Sequence, residues 1–153
     1  MIVALVVAAL VALFLGYAST RPAEFRVERA LELSAPPAQT FAVVSDEAKL
    51  RSVYVVFGDS FEKSKGQLTI ESSTPGESVK LRLLFTEPME SKATVQLALV
   101  ATSTGGTRVT WTFDGKHNFL GKVLSVLMNM DKAVGGDIEK SLQKLKTVAE
   151  ARG

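Results

Sequence analysis

From Met1 to Ala18 the chain is apolar without a single charged side chain, whereas beyond it apolar and polar residues alternate with short periods. Between Phe25 and Leu33 the odd positions read Phe, Val, Arg, Leu, Leu and the even ones Arg, Glu, Ala, Glu, a period of two that predicts a half-buried strand. Ser34-Ala35-Pro36-Pro37 stops it, and Pro37 suits the first position of a helix whose stripe, Phe41 and Val44, fades near Leu50. Ser52 to Phe61 is ambiguous: Val53 to Phe57 favour a strand, Gly58-Asp59-Ser60 a turn. Alternation resumes with Leu68 and Ile70, passes the turn Thr74-Pro75-Gly76-Glu77, and continues with Val79, Leu81, Leu83 and Phe85 opposite Lys80 and Arg82. Pro88 breaks that strand. Ala93, Val95, Leu97 and Leu99 define the next, Thr102 to Gly106 a hairpin loop, and Val109, Trp111 and Phe113 the last.

Consecutive strands joined by short turns, each with one apolar face, predict an antiparallel meander in an α+β domain. Its cover is the C-terminal region, where Val134, Ile138, Leu142, Leu145 and Val148 recur at helical spacing. Gly135-Gly136 predicts a break there, between a segment from Leu120 to about Val134 and a second from about Asp137.

The 153 residues suit one domain, with residues 1–20 set apart, 21–24 as linker around Pro22, and 25–151 as the folded unit. As a helix the first eighteen residues reach ~27 Å, close to the ~30 Å hydrocarbon core of a bilayer. Tyr17 and Arg21 then occupy the interfacial and polar zones. We read the segment as an uncleaved single-pass anchor of open orientation. The alternatives are a cleaved signal ending at Gly16-Tyr17-Ala18, which would make the domain secreted or periplasmic, and a soluble core helix. The chain has no cysteine, so disulfide and thiolate chemistry are excluded. A net charge of +2, with no dense basic run interleaved with aromatic residues, argues against nucleic acid as a partner.

The stretches Phe25 to Pro37, Gly105-Gly106-Thr107-Arg108-Val109-Thr110-Trp111-Thr112, Asn118 to Lys122, Met130 to Gly135 and Leu142 to Glu150 together resemble the polyketide cyclase/dehydrase branch of the START-like (SRPBCC) superfamily. The resemblance covers Glu24 to Glu150 and implies a helix-grip fold, a curved antiparallel sheet packed on a long C-terminal helix, here preceded by the hydrophobic N-terminal helix. It further implies a cavity between sheet and helix that holds apolar small molecules or lipids. Such proteins carry a longer, tryptophan-rich stretch after the first helix; here Asp46 to Val53 runs almost directly into Val55-Val56-Phe57, so the segment is shortened.

The resulting expectation is a membrane-tethered binding module for a hydrophobic small molecule or lipid, without cofactor, metal site or identified catalytic residue. Its cavity candidates are Arg29, Leu81, Leu83, Phe85, Leu97, Trp111, Phe113, His117, Leu124 and Met128. Trp111, the only tryptophan, reads first as core packing and otherwise as cavity lining. His117, the only histidine, reads as a loop residue or as an acid/base at the cavity mouth. Arg29 has the apolar parity of its strand and so requires either a carboxylate partner or water; as a polar cavity group it would hold an anionic ligand head. The apolar run from Phe119 to Met130 can gate the cavity, touch the bilayer, or simply be core. Two rival readings stay open. One is a cyclase/dehydratase-like enzyme acting through His117 and Arg29 on a polyketide-type substrate; the other is a structural or interaction domain with a filled core.

Overall fold

A computed structural model of the chain describes residues 1–20, 24–56, 59–61, 66–85, 91–116, 122–123, 126–127 and 129–151. Helix α1 spans Ile2–Ser19, and Leu5, Leu10 and Leu13 stand 68%, 60% and 71% exposed on it. Of its residues Ala18 alone is buried. By length and composition α1 is able to cross a membrane, and an apolar helix bare on nearly every side is unfavourable in water.

Strand β1 (Glu24–Leu33) leads into α2 (Pro37–Val44) and α3 (Glu47–Val53), then a two-residue ribbon, β2 (Val55–Val56) with β3 (Asp59–Ser60). The meander follows as β4 (Gly66–Thr74), β5 (Ser78–Phe85), β6 (Ser91–Ala101) and β7 (Thr107–Lys116), closed by α4 (Met130–Glu150). The main sheet is antiparallel with strand order β1-β7-β6-β5-β4, so the first strand pairs with the last; the β2–β3 ribbon stays separate. A register shift between Ile70 and Ser72 interrupts the β4 ladder.

Period-two patterning sorts the side chains as the sequence predicts. Val27, Val79, Leu81, Leu83, Val95, Leu97, Val109 and Trp111 are buried on one face, while Lys80, Arg82, Gln96 and Arg108 are exposed on the other. Helix α4 covers the apolar face with Ile138, Leu142, Leu145 and Ala149, all at most 1% exposed. Burial of a leucine or isoleucine contributes about 1.5–3 kcal/mol, which makes this seam a main stabilising element of the domain.

Polar contacts fix the far end of α4. Gln39 Nε2 donates to the Ala149 carbonyl at 2.5 Å, and the Ser34 amide donates to Glu150 Oε1 at 3.1 Å, as does the Ser34 hydroxyl. These bonds stabilise the ionised carboxylate and hold the Glu150 pKa below its ordinary value. Midway along the helix, buried Ser141 accepts from the Val55 amide at 2.7 Å and donates to the Asp137 carbonyl at 2.8 Å, joining α4 to the ribbon.

Two expected boundaries are corrected. The single helix expected from Pro37 to about Leu50 is two helices, because Asp46 caps a new one, accepting from the amides of Ala48 at 3.0 Å and Lys49 at 3.3 Å. The break expected at Gly135-Gly136 is absent: α4 begins at Met130, capped by Asn129, and runs through both glycines. A glycine inside a helix costs about 1 kcal/mol. The buried seam beyond outweighs that, and Gly135 answers a tertiary contact described below.

Candidate functional site

Residues paired across antiparallel strands share a face, so the register places the inner surface in rows. Arg29, Trp111, Leu97 and Val79 form one row across β1, β7, β6 and β5. Val27, Phe113, Val95 and Leu81 form the next, followed by Phe25, Gly115, Ala93 and Leu83. Leu81, Leu83, Leu97 and Trp111 are fully buried, Phe85 is 5% exposed and Phe113 is half-buried. The structure therefore brings Arg29, Leu81, Leu83, Phe85, Leu97, Trp111 and Phe113 together on the face beneath α4. His117, Leu124 and Met128 lie outside the described residues.

Trp111 sits at the centre of this face. Tyr54 meets it edge-on, ring centroids 5.0 Å apart at 67°, and continues to Phe61 at 5.4 Å, which meets Phe85 at 5.8 Å. Tyr54 and Phe61 are buried yet were not among the residues expected here; they fall in the segment where strand and turn signals compete. Burial drives the Tyr54 phenol pKa far above its ordinary value, with the negative charge of Asp137 adding to the effect, so at neutral pH the group is a hydroxyl that can donate but cannot serve as a base. Trp111 Nε1 is buried without any hydrogen-bond partner, which makes it a free donor in an apolar interior.

Arg29 resolves differently from a ligand-holding cation. Its Nη2 donates to Asp131 Oδ2 at 2.9 Å and to the Asp131 carbonyl at 3.3 Å, Nε to Glu139 Oε1 at 3.3 Å, and Nη1 to the Glu28 carbonyl at 2.8 Å. The Asp131 carboxylate, then Glu139, hold the guanidinium pKa above its ordinary value. Asp131, Gly135 and Glu139 recur every four residues and lie along one side of α4. The guanidinium lies at the middle of that stripe, and a Cβ built on Gly135 would come within 2.6 Å of Arg29 Cζ. Gly136 has open space at the same point. Gly136→Ala is therefore expected to stabilise the fold by up to about 1 kcal/mol through helix propensity alone. Gly135→Ala should gain nothing until Arg29→Ala is added, when the same gain reappears. A double-mutant cycle in urea reads the difference, and equal gains at both glycines in the parent chain would refute the clamp.

Further along the inner face, phenylalanine rings occupy the space that glycines leave. A Cβ on Gly115 would come within 2.6 Å of the Phe25 ring and 2.9 Å of Phe113, and one on Gly66 within 2.9 Å of Phe85. Phe25 and Phe113 are themselves 5.7 Å apart. A concavity of about 660 Å³ is bordered by the outer-face residues Arg26, Arg82, Lys92, Thr94, Asp114 and Lys116 and also by Phe25, Ala93 and Gly115 of the inner row. Ion pairs bind three of its four cations: Arg26 to Asp114 at 2.6 Å, Arg82 to Glu71 at 2.9 Å, and Lys116 to Glu24 at 3.8 Å. Charged and apolar groups therefore share its wall.

With the sheet, its grip by α4 and the buried face on record, comparison with known proteins is decisive at the level of family. The sequence profile described as "Polyketide cyclase / dehydrase and lipid transport" matches residues 24–150. The chain belongs to that family. Comparison with the curated proteins gives no match. Among solved structures, a conserved protein from Geobacillus kaustophilus superposes with a TM-score of 0.62 at 15% identity, covering 83% of this chain and 96% of the other. A Chromobacterium violaceum protein gives 0.59 at 16% identity, over 85% and 99%. The di-domain ARO/CYC StfQ of the steffimycin biosynthetic pathway gives 0.60 at 13% identity, over 89% of this chain and 54% of that one. At such identities the likeness shows the shared helix-grip fold alone, and polyketide cyclase/dehydrase membership rests on the profile.

Proposed function

We propose that this member of the polyketide cyclase/dehydrase and lipid transport family is a membrane-tethered binding protein for an apolar small molecule or lipid, held between the sheet and α4. One observation carries the reading: α1, the start of β1 and the segment before α4 share one end of the domain. Lys122 Nζ donates to the Ser19 carbonyl at 3.4 Å, and α4 runs alongside β1 from Asp131 at Arg29 to Glu150 at Ser34. With α1 in a bilayer, that end of the apolar interior faces the membrane, and a lipid entering it crosses little water. Leu127, 68% exposed in the same segment, adds apolar surface there. Affinity would come from apolar area buried against Leu81, Leu83, Leu97 and Trp111, at about 25 cal/mol per Å² before association costs.

A second reading, an interaction module with a filled core, is favoured by the rings of Phe25 and Phe85 over Gly115 and Gly66. Photo-crosslinking separates the two. With the full chain in membranes that contain a lipid bearing a diazirine in its acyl chain, the binding reading expects adducts on inner-face residues of β5 to β7. A filled core gives adducts on α1 only.

A further inference from the structure

We infer that the ligand beneath α4 is uncharged and offers one hydrogen-bond acceptor, a ketone, ester or ether oxygen, to Trp111 Nε1. The inference rests on the binding reading above and narrows it to a class of molecule. Buried donors without partners are rare, and Trp111 Nε1 is the one buried side-chain polar atom of this kind among the described residues. A lone buried water needs two to four polar partners. Of the two residues in register with Trp111, Leu97 has no polar side-chain atom and Arg29 has only donors. An alkane would leave the donor unmet; a single acceptor oxygen would satisfy it.

Charge is excluded by the same row. Arg29 is the cation nearest in register to Trp111, and it already faces two carboxylates, Asp131 and Glu139, besides two backbone carbonyls. A ligand carboxylate brought to it would meet both of theirs, and elsewhere on the sheet's described inner face a charged head would find apolar groups and neutral polar ones such as Trp111 Nε1 and Thr107 but no counter-ion, and an unpaired buried charge is costly. The fatty-acid role that its strand parity suggests for Arg29 is therefore disfavoured.

The chain has one tryptophan, so a uniformly ¹⁵N-labelled sample has a single indole N–H signal, and it reports Trp111. The full chain in alkyl maltoside micelles is titrated with 2-nonanone, nonane and nonanoate, with leucine and valine methyl signals followed in parallel. Expected is a saturable downfield shift of the indole proton with 2-nonanone alone, and binding ~5-fold tighter than nonane, the effect of one net hydrogen bond. Nonanoate should bind at least ~10-fold more weakly than the ketone. Trp111→Phe should make ketone and alkane equal; if that variant does not fold, the parent titrations alone decide. An indole signal unmoved while the methyls respond to ketone and alkane alike overturns the inference and spares the binding reading. So does an indole already downfield without ligand, or nonanoate binding as tightly as the ketone. Interior methyls that respond to none of the three overturn the binding reading itself.

Discussion

Trp111→Ala is expected to destabilise the domain by about 3–5 kcal/mol, the range for removing a large aromatic side chain from a core. The indole is fully buried at the centre of its row, in contact with the Tyr54 ring and beneath the α4 seam. The neighbouring strands are paired along their length and cannot close over the vacated space, which places the loss toward the upper part of the range. Whole domains are stable by only about 5–15 kcal/mol, so the variant should unfold at a much lower urea concentration. Trp111→Phe should lose far less: it keeps a ring against Tyr54 and removes an N–H whose burial without a partner is itself unfavourable. Urea unfolding of the full chain in mild detergent, followed by far-ultraviolet circular dichroism, measures both. Losses of equal size would mean that a ring kept against Tyr54 contributes nothing, and a loss below about 1 kcal/mol for alanine would remove Trp111 from the core.

The second large effect concerns α1. Leu10 and Leu13 lie near the middle of this helix and are exposed. An arginine at the centre of a membrane-spanning helix costs about 2.5–3.5 kcal/mol, so Leu10→Arg together with Leu13→Arg costs about 5–7 kcal/mol. The parent chain is expected to stay with membranes through an alkaline carbonate wash, and the doubly substituted chain to leave them. The intact mass of the parent separates anchor from cleaved signal. A full-length mass in the membrane pellet supports the anchor; a mass that begins after Ala18, in the soluble fraction, contradicts it.

Which features could be read from the sequence follows from the range of the forces behind them. The strands of the sheet were legible because burial of one face imprints a period of two on β5 and β7, where Leu81, Leu83, Val109 and Trp111 are buried and Lys80, Arg82 and Arg108 are not. The pairing of β1 with β7 was not visible in any local period, because it joins the first strand to the last across the whole length of the domain. Arg29 marks the limit most clearly. Its apolar parity signalled an unusual environment, but its partners Asp131 and Glu139 lie 102 and 110 residues away. Asp131, Gly135 and Glu139 do stand at four-residue spacing, a signal that becomes readable only if α4 is taken as continuous. The helix propensity of Gly135-Gly136 argued against continuity, and tertiary packing overrode it. Tyr54 was missed because β-branched neighbours and a following glycine turn send conflicting local messages, while the edge-on contact with Trp111 is wholly non-local.

Native mass spectrometry of the full chain, released intact from mild detergent, tests most directly whether the interior accommodates a guest. The account predicts the 16.4 kDa chain carrying one discrete non-covalent adduct, uncharged and apolar when ejected and identified, and lost when Ala93→Phe fills the row beside Gly115. A bare chain that takes up no adduct from any neutral lipid supplied in excess would contradict it.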